Sequence, residues 1–136
     1  MKKIFLFLFV GMIALFCIQH RGHAADCYAA GCNGVDPAGK SCWNDAYPAS
    51  SKTNGTLVNK NMYSPSCVAN YSYTYNSNSA YSYLSAETVG YYTYDSTTVW
   101  MYVWNNMRDG SGLVCTRGHR GNSAGQHNLS TGQSCS

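Results

Sequence analysis

The sequence predicts a single all-β domain: a small, disulfide-stabilised antiparallel sandwich or partly closed barrel with a loop-rich N-terminal region. Three observations predict this class. Aromatic residues alternate with Ser and Thr between Val68 and Trp104, which is the period of strands with two different faces. Short polar clusters interrupt that alternation, as hairpin turns do. Six cysteines follow the first 24 residues, and small exported domains use such an even set to supplement a modest core.

The first 24 residues predict a cleavable secretory signal peptide. Met1-Lys2-Lys3 is a short basic start, the run from 4 to 18 is apolar and uncharged, and Gly22-His23-Ala24 offers small residues for cleavage. The apolar run is shorter than the about 20 residues that span a bilayer, so a retained membrane anchor is the weaker alternative. We therefore expect a mature domain of residues 25–136, secreted to the extracellular or cell-envelope space and free of the membrane.

Removal of this leader leaves a formally neutral domain. Six basic residues remain after residue 24, and six acidic residues balance them. A surface that binds phosphates needs a clustered excess of positive charge. The sequence has no such cluster and therefore argues against a nucleic-acid partner.

All six remaining cysteines are expected in disulfides, because exported proteins mature in an oxidising space. Zinc is the competing interpretation, but the sequence has no C-x-x-C pair, and its closest spacing is the four residues between Cys27 and Cys32. Spacing alone does not choose among the possible pairings. The expected disulfide cysteines are Cys27, Cys32, Cys42, Cys67, Cys115 and Cys135.

The chain from Asp26 to Lys60 is predicted to be irregular, because turn-forming Gly, Pro and Asn residues recur too closely for a long helix. Asn54-Gly55 predicts a tight hairpin that leads into a strand from Thr56, since this dipeptide accepts positive φ at both turn positions. No segment after residue 24 has the apolar stripe of a long helix.

Strands joined by hairpins are predicted from Val68 to Trp104. Tyrosines alternate with Ser and Thr at 71–75, 81–83 and 92–94. Two registers are open for the first hairpin. A turn at 76–79 sends the tyrosines of its two strands to opposite faces, whereas a loop at 76–80 places them on one face. The segment 99–104 is apolar on both faces, so we expect a central strand there.

Residues 116–136 are predicted to form a polar tail. They are rich in Gly, Ser and Asn, with Leu129 as almost their only apolar anchor. Such a segment buries little surface and stays disordered when alone. We expect Cys135 to tie this tail back to the domain.

No catalytic constellation is visible in the sequence. It contains no G-x-S-x-G elbow, and His119 and His127 lie in the polar tail with no nearby carboxylate along the chain. Asp36 and Asp45 lie in turns, where Asp commonly accepts stabilising hydrogen bonds. The sequence therefore predicts no catalytic residue, no cofactor and no metal ligand.

Aromatic density is the remaining functional signal, because every Tyr and Trp follows the leader. Tyrosine on a strand offers a flat apolar ring with a polar tip, which suits stacking on sugar rings or on a protein partner. The high strand propensity of Tyr, with a place in the core, is the alternative explanation. The candidate binding residues are Tyr71, Tyr73, Tyr75, Tyr81, Tyr83, Asn70, Asp36 and Asp45.

Three motifs in order give residues 32–117 a resemblance to a known family. They are Gly34-Val35-Asp36-Pro37, then Cys42 with Asp45-Ala46, then Tyr63-Ser64 followed by Cys67, Asn70 and Tyr71. This pattern resembles the bacterial domain-of-unknown-function family 2690, exported proteins of Gram-positive bacteria with G-x-D-P, C-x-x-D-A and Y-S-x-x-C-x-x-N motifs. The resemblance implies an exported, compact, disulfide-bearing β domain and implies no reaction. Cys27 and Cys135 lie outside the family pattern, which implies that they bridge the two termini to each other.

The leading functional hypothesis is a secreted, non-enzymatic module that binds a cell-surface glycan or protein through its aromatic-rich strands. A cell-wall or polysaccharide hydrolase that pairs Asp36 or Asp45 with Glu87 is the alternative, and its two carboxyls would have to lie about 5–9.5 Å apart in a cleft. A secreted toxin or antimicrobial protein is the third hypothesis. The sequence lacks the net positive charge or the amphipathic helix typical of that class.

Overall fold

A computed structural model describes residues 25–136, and the predicted signal peptide lies outside the described residues. The chain forms two antiparallel sheets that pack face to face, so the all-β prediction is confirmed and the architecture is an open sandwich rather than a closed barrel. The strands are β1 (Tyr47–Asn54), β2 (Leu57–Ser64), β3 (Ala69–Asn76), β4 (Tyr83–Thr88), β5 (Tyr92–Asp95), β6 (Tyr102–Trp104), β7 (Arg108–Asp109), β8 (Cys115–Gly121), β9 (Leu129–Ser130) and β10 (Ser134–Cys135). The first sheet has the order β1-β2-β3-β6, with β7 also paired to β3. The second has the order β10-β8-β4-β5, with β9 also paired to β8.

An irregular N-terminal layer, residues 26–46, covers part of the outer face of the first sheet. It contains a 3-10 turn (Ala29–Cys32) and a five-residue helix, α1 (Ser41–Asp45). Its cysteines pack with Ala69, Tyr71 and Met107 in an apolar cluster. The prediction of a loop-rich start is confirmed for this layer, but the irregular region ends where β1 begins and does not extend to residue 60. No helix within residues 25–136 has the length and apolar character needed to cross a membrane.

The hairpin predicted around Asn54-Gly55 joins β1 to β2. Asn54 pairs with Leu57, so the two turn residues are Gly55 and Thr56 rather than Asn54 and Gly55. Gly55 has a φ of +59°, in the left-handed region that glycine enters without a steric penalty. The sequence therefore placed the hairpin correctly and its turn one residue too early.

All six cysteines after residue 24 form disulfides, as the sequence predicts. The pairs are Cys27–Cys32, Cys42–Cys67 and Cys115–Cys135. The bridge between Cys27 and Cys135 that the family resemblance implied is wrong. Cys27 lies in the N-terminal layer on the first sheet, whereas Cys135 lies on β10 directly opposite Cys115 in the second sheet.

Neither predicted register of the β3–β4 hairpin occurs, because these strands belong to different sheets. β2 occupies one edge of β3, while β6 and β7 occupy the other. No edge of β3 is left for β4, and the chain crosses to the second sheet between residues 76 and 83. β4 then pairs with β5 and β8.

The strand expected at 99–104 is neither long nor central. β6 covers only Tyr102–Trp104 and forms the end of the first sheet. Val103 points into the sandwich and is buried, while Val99 and Trp100 are about half exposed. One face of this segment is therefore buried in the sandwich, and the apolar residues of its other face are open to solvent.

The expected polar tail is also wrong, because residues 116–121 belong to β8 in the middle of the second sheet. β8 pairs with β4 over residues 116–121 and also with β9 and β10. Cys135 does tie the following segment back, through its disulfide to Cys115. A strand without large apolar side chains can be central here because the interior it faces is itself polar.

Hydrogen-bonded polar side chains fill much of the space between the sheets. The fully or almost fully buried members are Asn59, Asn61, Asn70, Ser72, Thr74, Thr88, Asn105 and Thr116. The Nδ2 of Asn59 donates to Ser72 and Thr74 of β3, and its Oδ1 accepts from Thr116 of β8. Buried polar groups are tolerated when they are paired in this way. A small apolar cluster of Leu57, Leu84, Ala86 and Val103 lies beside this network.

Close approach of β8 to β3 explains the glycine at position 118. A Cβ atom there would lie 2.7 Å from Cγ2 of Thr74 and 3.1 Å from Cβ of Asn59. The absence of a side chain lets the two sheets come near enough for short polar side chains to bond across the gap.

Candidate functional site

Four aromatic side chains form a continuous surface on the outer face of the first sheet. This surface, the aromatic platform, consists of Tyr73 and Tyr75 of β3 with Tyr102 and Trp104 of β6. The antiparallel register places Tyr73 opposite Trp104 and Tyr75 opposite Tyr102. The ring of Tyr102 lies nearly parallel to those of Tyr73 and Trp104, at centroid distances of 5.8 and 6.1 Å. Cross-strand aromatic pairs of this kind add to the stability of a sheet as well as to its surface.

Trp43 of α1 separates the platform from a buried part of the same face. Its ring stacks on Tyr71 at 5.6 Å and meets the ring of Trp104 edge-on at 5.1 Å. Tyr71 is only 1% exposed, and burial raises the pKa of its hydroxyl group. Tyr102, in contrast, is 45% exposed. The buried half therefore supports the aromatic face, and the exposed half is open to a ligand.

Two grooves border the platform, and Tyr102 lines both of them. The first groove has a volume of about 360 Å³. Aromatic rings form most of its walls, and its lining residues are Asp36, Tyr94, Trp100, Tyr102, Val103, Trp104 and Asn106. Concave, mostly apolar sites with a few polar groups are the usual form of small-ligand sites.

The second groove, on the other side of Tyr102, has a volume of about 380 Å³. It is more polar, and its lining residues are Lys60, Tyr73, Tyr75, Asn76, Ser79, Met101 and Tyr102. The Nζ of Lys60 lies 5.3 Å from the ring centroid of Tyr75, within the range of a cation–π contact. This groove therefore presents a positive charge beside aromatic rings.

Asp36 provides the charged group of the first groove. Its Oδ1 accepts hydrogen bonds of 2.9 Å from the backbone N–H of Ala38 and from Nε1 of Trp104. The first bond stabilises a turn, as predicted from the Asp-Pro sequence. The second holds the indole of Trp104 in place and positions the carboxylate at the margin of the platform.

The structure brings some of the predicted binding residues together. Tyr73 and Tyr75 lie on the platform, Asp36 lies beside it, and Tyr71 lies beneath the N-terminal layer. Burial also raises the pKa of Tyr73, and the neighbouring Tyr102 adds to this effect. Both hydroxyls stay neutral and able to donate hydrogen bonds across the physiological pH range.

The other predicted residues lie elsewhere. Tyr81 precedes β4 and is 62% exposed, and Tyr83 lies on β4 in the second sheet. Asn70 is buried and belongs to the polar interior. Asp45 accepts hydrogen bonds from the hydroxyl of Ser64 and the backbone N–H of Ser66, which lower the pKa of its carboxyl despite partial burial. Asp45 therefore stabilises a turn, and Asn70 and Asp45 take no part in the platform.

Sequence reasoning missed half of this site. Tyr102, Trp104 and Lys60 were not among the predicted binding residues, although they line the grooves. The alternation of Trp100, Tyr102 and Trp104 is visible in the sequence, but the apolar residues between them predict a strand that is covered on both faces. Lys60 could not be found from the sequence, because its position beside Tyr73 and Tyr75 depends on the pairing of β2 with β3.

A second group of polar residues, the histidine cluster, lies on the outer face of the second sheet. Its members are Ser85, Glu87, Asp95, Arg117, His119 and His127. Nε2 of His119 lies 2.7 Å from Oε2 of Glu87, and Nε2 of His127 lies 2.9 Å from Oδ1 of Asp95. No carboxylate lies near either histidine along the chain, but the fold supplies one to each. Glu87 and Asp95 are far from them in sequence, and only the β4–β8 and β4–β5 pairings bring them close.

The two imidazole rings of the cluster stack on each other. Their centroids are 4.2 Å apart and their planes differ by 9°. His119 is buried beneath His127, and burial lowers the pKa of its imidazole. Hydrogen bonds from Arg117 lower the pKa of Glu87, so the neutral imidazole of His119 faces an ionised carboxylate near pH 7. The Nδ1 of His119 is buried and has no hydrogen-bond partner among the described residues.

The contacts of Ser85 do not form the relay of a serine hydrolase. The hydroxyl of Ser85 and the carboxylate of Asp95 both contact Nε2 of His127. In a catalytic triad the serine and the aspartate bond to different ring nitrogens, so that the base is oriented while it accepts a proton. These hydrogen bonds tie the loop that carries His127 to β4 and β5.

The carboxylate pair of the hydrolase hypothesis is not brought together. Glu87 bonds to Arg117 and His119 on the second sheet. Asp36 bonds to Trp104, and Asp45 bonds to Ser64, in the first sheet and its N-terminal layer. Each carboxylate is therefore committed to its own local partners, and no hydrogen bond or ion pair joins Glu87 to Asp36 or Asp45 among the described residues.

Fold and site together define a disulfide-bonded, open antiparallel β sandwich with a solvent-facing aromatic platform. No family model, curated protein or solved structure matches the chain. Membership of family 2690 therefore stays a prediction from the three sequence motifs.

Proposed function

We propose that residues 25–136 form a secreted, non-enzymatic module that binds a cell-surface glycan through the aromatic platform. The arrangement of Tyr73, Tyr102 and Trp104 carries this proposal: three near-parallel rings on one exposed sheet face, with a groove on each side of the central ring. Pyranose rings have apolar faces that stack on aromatic rings, while their hydroxyls need polar partners at the edge. Tyrosine hydroxyls and the carboxylate of Asp36 supply such partners.

Secretion is part of the same proposal. The predicted leader supports it, and so do three disulfides in a small domain, which form and persist in oxidising compartments. A protein that works outside the cell is in direct contact with surface glycans. The formal neutrality of residues 25–136 suits a ligand that is recognised mainly by stacking and hydrogen bonding.

The platform geometry favours a glycan over a protein as the ligand. A protein interface needs about 800 Å² on each partner with an apolar centre. Here Tyr102 is exposed, whereas Tyr73, Tyr75 and Trp104 are half-buried, and the grooves beside Tyr102 hold about 360 and 380 Å³. Grooves of that size fit single sugar rings that follow one another along a chain.

A binding experiment with a matched control tests the proposal. The oxidised protein is incubated with insoluble glycans and purified cell walls, and retention is compared with that of Tyr102→Ala and Tyr81→Ala. Both tyrosines are well exposed, but only Tyr102 belongs to the platform. We expect retention of the native protein, a loss of about tenfold or more in affinity for Tyr102→Ala, and no change for Tyr81→Ala. No retention on any glycan, or equal losses in both variants, would refute the proposal.

A further inference from the structure

Lys60 lacks an acidic partner although it lies in a groove of the platform. The six side-chain carboxylates of residues 25–136 all have hydrogen-bond partners elsewhere: they belong to Asp26, Asp36, Asp45, Glu87, Asp95 and Asp109. Among these residues, no carboxylate forms an ion pair with Lys60. Its ammonium group lies instead beside the ring of Tyr75. Most other cations of the described residues also have no carboxylate partner. Lys60 differs from them in lining a groove beside the platform, where its charge can meet a ligand.

Asp36 gives the opposite charge to the groove on the other side of Tyr102. Its Oδ1 bonds to Trp104 and Ala38, so the carboxylate is fixed at the wall of that groove. An acid group on a ligand would be repelled there, whereas hydroxyl and amide groups could donate to it. The two grooves therefore have opposite electrostatic preferences across a single shared ring.

From this we infer that the platform selects a polysaccharide in which acidic and neutral sugars alternate, with a sugar carboxylate on Lys60 and a neutral sugar against Asp36. The inference rests on the proposed glycan-binding function and names its substrate class. A polymer with an acid group on every sugar would bring one of them to Asp36. A fully neutral polymer would leave Lys60 unpaired. Lys60 carries one positive charge, which matches the single negative charge of a sugar carboxylate.

The test compares four soluble probes by isothermal titration calorimetry with the oxidised protein. Hyaluronate alternates a uronic acid with a neutral N-acetylhexosamine, and its methyl ester removes the charge. Polygalacturonate carries an acid on every sugar, and dextran is neutral. We expect hyaluronate to bind about tenfold more tightly than its methyl ester and more tightly than polygalacturonate or dextran. This advantage should shrink as salt rises, because the ion pair is partly exposed and becomes screened.

Matched lysine variants locate the effect. Lys60→Met keeps most of the aliphatic stem and removes the charge, and Lys52→Met makes the same change on the neighbouring strand β1. We expect Lys60→Met to bind hyaluronate and its methyl ester equally, and Lys52→Met to keep the native preference. Tyr102→Ala should weaken binding of both polymers, since it removes the ring that both grooves share.

The outcomes separate the two proposals. Equal binding of hyaluronate and its ester, tighter binding of polygalacturonate, or an equal effect of both lysine variants would overturn the inference while glycan binding stands. Retention on neutral glycans alone would do the same. A phosphate-bearing polysaccharide that binds more tightly than hyaluronate and loses affinity in Lys60→Met would overturn the assignment of a carboxylate. Absence of binding to every glycan would remove both the inference and the proposed function.

Discussion

Replacing Asn59 by alanine should destabilise the domain strongly, although the side chain touches no ligand and is not apolar. Asn59 is fully buried between the sheets. Its amide donates to Ser72 Oγ at 2.5 Å and to Thr74 Oγ1 at 3.2 Å, and it accepts from Thr116 Oγ1 at 2.8 Å. These three bonds join β2 to β3 within one sheet and to β8 in the other.

The size of the effect follows from those contacts. Each buried hydrogen bond contributes about 1 kcal/mol net, and a hydroxyl left without its partner in the interior costs about 1–3 kcal/mol. Ser72 and Thr116 keep weaker contacts with backbone carbonyls, which limits their part of the penalty. We therefore expect Asn59→Ala to lower the free energy of unfolding by about 3 kcal/mol. This is a large share of the total of about 5–15 kcal/mol typical of domains.

Urea unfolding of the oxidised protein, followed by tryptophan fluorescence, measures this change. Asn54→Ala is the matched control, because Asn54 is exposed and its side chain makes one hydrogen bond, to the carbonyl of Ser130. We expect a loss of at most about 1 kcal/mol for that variant. If Asn59→Ala costs less than about 1 kcal/mol, or no more than Asn54→Ala, the polar network does not hold the sheets together.

Two further predictions concern the stability of the domain at acidic pH and after loss of one disulfide. Stability should fall as pH drops from about 6.5, because the pKa of buried His119 is lowered and the unfolded chain then binds a proton that the folded chain resists. It should fall further below about pH 4, where the stability contributed by the lowered pKa values of Glu87 and Asp95 is lost as both carboxylates become protonated. His119→Gln should abolish the upper step in urea titrations at different pH, and an unchanged step would contradict this account. Replacing Cys115 and Cys135 together by Ser should cost about 3 kcal/mol, as expected for a bridge that spans 20 residues, and should speed hydrogen exchange in β10. Native-like exchange there would show that strand pairing alone holds this end.

Features that depend on neighbouring residues or on the compartment could be predicted from the sequence. Asn54-Gly55 placed the first hairpin, because a two-residue turn needs a residue that tolerates positive φ. The even number of cysteines indicated that all of them form disulfides. Oxidation depends on the compartment, so it can be expected without knowing which cysteines pair with each other. Asp36 is predictable as a turn acceptor, because its backbone partner Ala38 lies only two residues further along the chain. Asp45 is not, because it ends helix α1 and accepts hydrogen bonds from Ser64 and Ser66, which lie about twenty residues away.

Assignment of the faces of β3 could not be predicted. Tyr71, Tyr73 and Tyr75 alternate with Ser72 and Thr74, and hydropathy alone suggests that the rings point into the sandwich. The structure has the reverse arrangement: the hydroxyls of Ser72 and Thr74 bond to Asn59 across the interior, and the rings form the outer face. A polar interior becomes favourable only when complementary groups from other strands satisfy each donor and acceptor. That complement is a property of the fold and not of one strand.

The sequence by itself determined local features of the protein: strands with alternating side chains, the position of the first hairpin, disulfide bonding of all six cysteines after residue 24, and many tyrosines available for a surface. Only the tertiary structure decided which strands pair with each other. Those pairings create the platform with Tyr73 and Tyr102, place Lys60 in its groove and stack His119 on His127. The physical reason is the distance along the chain between the residues that interact. Backbone conformation and oxidation respond to near neighbours, whereas a site made of four strands depends on pairings between residues that are distant in the chain.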